Sequence, residues 1–154
     1  MPRHSEVRIL PFRPEQMFDL VADVQRYPEF LPWCLGSRIR KREGAMFVAD
    51  LIIGFKMVRE KFTSRVTTDR EGMRVDVTYS DGPFKYLENH WIFIEHEAGC
   101  EIDFHVDFEF RSRMLSTMIQ PLFTEAVKRM VSAFEQRAHA LNGTPGGVSI
   151  EDAG

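Results

Sequence analysis

A chain of 154 residues, 44% hydrophobic and 28% charged, can bury one substantial core and is too apolar to be disordered. Twenty Lys and Arg against 23 Asp and Glu leave a net charge of −3, which excludes the global basic excess of a DNA-binding protein. Two cysteines without a CxxC pair point to buried thiols in a reducing compartment, not to a disulfide framework or zinc site. No apolar run approaches the ~18–20 residues of a membrane span, and no secretory signal opens the chain, so the expectation is a cytoplasmic protein.

In chain order, Val7-Arg8-Ile9-Leu10-Pro11 closes an opening strand. Pro14 suits the first position of a helix that runs through Met17, Phe18, Leu20, Val21 and Val24. Next comes YPEFLPWC, Tyr27 to Cys34, where Pro28 and Pro32 rule out an ordinary helix or central strand. It is predicted to be a second element, irregular or of one turn, and the helical signal stops near Gly36.

From Ser37 to Arg111 the period is two. Phe47, Ala49, Leu51 and Ile53 alternate with Met46, Val48, Asp50 and Ile52, and Met73, Val75, Val77 and Tyr79 repeat the pattern. Cys100, Ile102, Phe104, Val106, Phe108 and Phe110 alternate most strictly, which marks an antiparallel strand with one buried and one wet face. Turn residues at Glu43-Gly44, Glu71-Gly72, Asp81-Gly82-Pro83 and Ala98-Gly99 divide the region into hairpins.

Beyond Arg111 the period returns to 3.6, with a wide apolar stripe from Leu115 to Leu141. Pro121 either starts the regular helix or kinks it, leaving about 21 residues, roughly 31 Å. Gly143 fits a C-terminal cap, so residues 1–143 form the domain and 144–154 a flexible tail. The fold class is α+β. About six to seven antiparallel strands curl around one long C-terminal helix, and two short helices after the first strand close one edge.

The inner face then carries Phe47, Phe62, Trp91, Phe93, Phe104 and Phe108 from strands, with Met118, Phe123, Met130 and Phe134 from the helical region. Such aromatics and methionines either pack on one another or line a cavity for an apolar ligand. Glu60 shares the parity of Phe62 and Val66; it pairs with an inward Arg or Tyr, meets a polar ligand head, or is turned outward by a twist near Gly54. Asp103, His105 and Asp107 fall on the opposite, solvated face, and no nucleophile elbow, phosphate loop or HExxH occurs. Neither catalytic nor metal-ligating residues are assigned. The run Arg38-Ile39-Arg40-Lys41-Arg42 is a solvated strand face or a set of phosphate contacts.

Five segments, DLVADVQRYPEFLPWC, FKMVREKFTSRV, DGPFKYLENHWIF, CEIDFHVDFEFRS and MVSAFEQRA, cover most of Glu6 to Gly143 in order. Together they resemble the coenzyme Q-binding protein family, a branch of the START-like polyketide cyclase and lipid-transport superfamily. The resemblance implies a helix-grip fold that binds ubiquinone or a similar isoprenoid lipid without catalysis or a catalytic cofactor. That role serves respiration or ubiquinone biosynthesis, with transient contact at the inner face of a membrane. Tyr27, Phe30, Leu31 and Trp33 then stand at the cavity mouth, Tyr27 and Trp33 as candidate rings at the lipid interface. Leu51, Glu60 and Phe84 join the inner-face residues as candidate wall. The family also contains ribosome-association toxins, and the alternative is a protein that binds the large ribosomal subunit and inhibits translation.

Overall fold

The strict alternation near residue 100 is realised as β7 (Gly99–Phe110), the strand that pairs with both the first strand of the chain and its own predecessor. The computed structural model describes residues 3–55 and 58–142. Gly143 and the segment 144–154, expected as cap and tail, lie outside these residues. The other strands are β1 (Arg3–Leu10), β2 (Cys34–Glu43), β3 (Met46–Phe55), β4 (Val58–Asp69), β5 (Arg74–Asp81) and β6 (Phe84–His96). All pair antiparallel in the order β1-β7-β6-β5-β4-β3-β2, so consecutive β1 and β2 lie at opposite edges. The crossing is made by α1 (Pro14–Ala22) and a 3-10 helix, Val24–Glu29. Pro14 is indeed at the first turn of α1, and the Arg13 N–H donates to Gln16 Oε1 at 2.8 Å.

Two expected boundaries move. Helical structure ends at Glu29, and β2 begins at Cys34, inside YPEFLPWC rather than beyond Gly36. Met73 is not a strand residue but closes the β4–β5 turn with φ 53°. Asp69 Oδ1 accepts the Gly72 N–H at 3.0 Å, and the left-handed position falls on the next residue.

After β7 the chain forms α2 (Arg113–Ile119), a 3-10 turn at Gln120–Leu122 containing Pro121, and α3 (Phe123–Asn142). Of these three, α3 is the one that enters the core: Phe123, Val127, Val131, Phe134 and Ala138 are buried, whereas α2 buries nothing fully. The sheet curls over α3, with Phe123 on Phe108 (ring centroids 5.2 Å) and Phe134 on Trp91 (5.0 Å). Phe84 joins a second aromatic group, 5.4 Å from Phe62 and 4.8 Å from Phe110. The turn beside it needs glycine: Gly82 has φ 142°, and a Cβ there would lie 2.7 Å from the Phe62 Cβ.

Phe134 also touches Tyr27 and Phe30, at 5.3 and 5.2 Å, so one ring ties α3 to the sheet and to YPEFLPWC. Phe134→Ala is expected to lower stability by about 3–5 kcal/mol in urea titration. Leu141→Ala, at a residue 57% exposed on the same helix, is expected to change it by less than about 0.5 kcal/mol.

Candidate ligand-binding cavity

The inward parity of β3 to β7 and one face of α3 line a partly open cavity of about 210 Å³. Leu51 and Ile53 of β3, Phe62, Ser64 and Val66 of β4, and Val77 of β5 form one wall. Leu87, Asn89 and Trp91 of β6 continue into Phe104, Val106 and Phe108 of β7. Ile119 at the end of α2, with Phe123, Ala126, Val127 and Met130 of α3, faces them. Val24, Tyr27, Leu31, Trp33 and Cys34 close the remaining side, which puts much of YPEFLPWC on the cavity.

Among the described residues this lining holds no Asp, Glu, Lys, Arg or His. Its two weakly acidic groups are held neutral. Burial pushes the Tyr27 phenol well above its ordinary range, and its hydroxyl donates to the Val21 carbonyl. Burial likewise raises the Cys34 thiol to about 11, although a backbone hydrogen bond at Gly36 acts the other way. Asn89 is satisfied: its Nδ2 donates to the His105 carbonyl at 2.9 Å, and its Oδ1 accepts Trp91 Nε1–H at 2.9 Å. Two buried polar atoms of the lining, Ser64 Oγ and Trp33 Nε1, have no hydrogen-bond partner among the described residues.

Of the expected site residues, Tyr27, Leu31, Trp33, Leu51, Phe62 and Phe84 line this space, as do Trp91, Phe104, Phe108, Phe123 and Met130. Five do not. Phe30 packs on Phe134 with the Arg137 guanidinium 5.2 Å over its ring. Phe47 is buried beyond the end of the cavity, under the guanidinium of Arg42 at 4.9 Å. Phe93 sits beneath α1, edge-on to Phe18 at 6.2 Å. Met118 is 37% exposed because α2 breaks from α3 at the Pro121 turn; its neighbour Ile119 lines the cavity instead. Glu60 keeps its inward parity opposite Ile53, half-buried and outside the lining. Tyr27 turns its hydroxyl inward, so it does not present the wet end of an interfacial ring. Leu35 on β2 and Met114 and Met118 on α2 are large apolar side chains that are exposed.

Sequence pattern overlooks Ser64, Ile53, Val77, Leu87 and Val106, whose only signal is strand parity. It also overlooks Asn89, which shares the parity of Leu87 and Trp91 but is polar.

The outer face of the sheet is divided by charge. Exposed Arg38, Arg40 and Lys41 of β2 flank β3 on one side, and exposed Lys61 and Arg65 of β4 flank it on the other. Buried Asp50 between them accepts from Thr63 Oγ1 at 2.6 Å and lies 3.6 Å from Arg40 and 3.8 Å from Lys61. Across β5 to β7 the outer face carries Asp76, Glu88, Glu101, Asp103 and Asp107, with the stacked rings of His90 and His105 among them. His90 Nδ1 bonds Asp76 at 2.6 Å and His105 Nδ1 bonds Ser5 Oγ at 2.7 Å. Among the described residues no group of three or more His, Cys, Asp or Glu could hold a metal ion.

Residues 10–135 match the family model for polyketide cyclase/dehydrase and lipid transport. The ribosome association toxin RatA of Rickettsia prowazekii is 40% identical over 137 residues, covering 87% of this chain and 94% of that one. A mitochondrial coenzyme Q-binding protein, COQ10 homolog B of Xenopus laevis, is 38% identical over 145 residues, covering 91% of this chain and 59% of that one. A START superfamily protein of Mycobacterium smegmatis superposes with a TM-score of 0.72 at 18% identity, covering 91% and 99% of the two chains.

Both thiols, Cys34 and Cys100, are buried and raised by burial to about 11. At pH 8 only about 0.1% of either is thiolate. Iodoacetamide is expected to label the folded protein at least about 100-fold more slowly than the urea-unfolded chain, read by intact mass; equal rates would place the thiols at the surface.

Proposed function

The chain belongs to the polyketide cyclase/dehydrase and lipid transport family, and from that premise we propose that it binds a polyisoprenoid quinone of the ubiquinone class as a carrier or chaperone. The observation that carries this reading is the cavity itself: about 210 Å³ walled by hydrocarbon and closed by neutral groups. Catalysis finds little support there, since a wall whose acids are a raised phenol and a raised thiol offers no general acid or base near neutral pH.

Size refines the proposal. An apolar cavity of about 150 Å³ holds benzene, so this one accommodates a quinone ring and the first part of a tail. A longer tail extends beyond the wall. Ile119 lines the cavity at the end of α2, and the exposed Met114 and Met118 of the same helix offer an apolar path outward. Burying tail against water gains about 25 cal/mol per Å², whereas moving it from a bilayer gains almost nothing. Loading and release therefore belong at a membrane surface. Contact there is peripheral, because no described helix is long and apolar enough to cross.

A second reading has its own observation. The cations of β2 and β4 form a basic outer face, suited to the phosphates of ribosomal RNA, and a relative carries the name ribosome association toxin. This face and the cavity lie on opposite sides of the sheet, so the readings share no residues.

Organic extracts of protein purified from a quinone-producing host are expected to contain quinone by mass spectrometry. Ala126→Phe, which projects a ring into the cavity, is expected to lower retention at least about tenfold with the fold intact by circular dichroism. No quinone in the wild-type extract, and no uptake of added ubiquinone, would sink the first reading.

For the second, Arg38→Ser, Arg40→Ser and Lys41→Ser combined are expected to weaken co-sedimentation with ribosomes and to flatten its log–log salt dependence by about 2–3 units. Wild-type protein that stays in the supernatant at low salt eliminates ribosome binding.

A further inference from the structure

Five buried side-chain polar atoms lack a hydrogen-bond partner among the described residues, and two of them, Ser64 Oγ and Trp33 Nε1, line the same cavity. Ser64 is 1% exposed and sits in mid-β4, between Ala49 and Tyr79 in register. The Tyr79 hydroxyl is engaged with the Phe84 N–H at 3.2 Å, and the Asn89 amide is engaged at both ends. A buried hydroxyl or indole N–H that makes no hydrogen bond costs the fold stability. An alanine at position 64 would fill the same strand site without that cost. Both atoms therefore stand as unspent polar positions in an otherwise hydrocarbon wall.

We infer that the cavity selects a neutral ligand bearing hydrogen-bond-accepting oxygen, for which Ser64 and Trp33 are the donors. This rests on the cavity reading above and adds the chemistry by which the site discriminates. An indole N–H can only donate, and a hydroxyl can donate or accept, so an acceptor is the one group that suits both. Carbonyl and ether oxygens qualify. A pure hydrocarbon leaves both positions unmade. A carboxylate or phosphate head would be stripped of water beside a described lining that contains no cation. The wall thus favours quinones and other uncharged carbonyl compounds over fatty acids and phospholipids.

Three probes that share a ring and a two-isoprene tail separate these chemistries: a geranyl benzoquinone, geranylbenzene and 4-geranylbenzoate. Binding is read by tryptophan fluorescence and checked by calorimetry. Wild-type protein is expected to bind the quinone about tenfold or more tighter than geranylbenzene, and the benzoate most weakly at pH 8. Ser64→Ala is expected to reduce the quinone-to-hydrocarbon ratio about five- to tenfold, chiefly by weakening the quinone, and to keep or raise the melting temperature of the free protein. Trp33→Phe is expected to reduce the same ratio, with calorimetry replacing its lost fluorescence. An unchanged ratio in both variants overturns the inference, as does benzoate binding equal to that of the quinone. If the wild type binds none of the three, the cavity reading itself falls with it.

Discussion

Seven strands spaced about 4.8 Å apart make a sheet some 29 Å wide, while a helix with its side chains is only about 10–12 Å across. The apolar face of this sheet has one long helix, α3, to cover it. A flat sheet would leave most of that face in water, so the strands must curl until both flanks approach the helix. Even then the fit is incomplete, and the shortfall is filled by large rings: Phe84, Phe108 and Phe123 toward one end, Trp91 and Phe134 nearer the other. The cavity is the remainder of this mismatch between sheet and helix.

How much could be read from the chain follows from which features are local. Parity in a strand is local, and β7 shows it over twelve residues, so the inward set from Cys100 to Phe110 was legible. Position along a strand relative to the covering helix is not local. Phe47 and Phe93 have the right parity but lie where Arg42 and α1 do the covering, away from the cavity. Helical phase fails in the same way across Pro121: the stripe continues in sequence, but α2 is a separate helix and Met118 comes to face out. Ser64 was equally legible by parity, yet a small polar residue among phenylalanines carries no hydrophobic signal. Its meaning appears only when the surrounding bonds can be counted.

The two faces of the sheet are chemically independent. Inward residues form a neutral hydrocarbon wall, while outward ones are split into a basic half on β2 to β4 and an acidic, histidine-bearing half on β5 to β7. Alternation makes this possible, because changing every second residue leaves the other face untouched. Relatives with names as different as a ribosome association toxin and a coenzyme Q-binding protein are compatible with one such scaffold. A net charge of only −3 conceals the division.

The run from Arg38 to Arg42 also occupies β2, which among the described residues has no strand on its far side. An unpaired edge is a template for intermolecular sheet growth, and natural proteins blunt it with charge and irregularity. Here β2 carries four cations in five residues and two breaks in its register with β3. Its repulsion keeps copies of the chain from stacking edge to edge, so the same arginines that could meet phosphate also guard against aggregation. Selection on this strand answers to colloidal behaviour as well as to any partner.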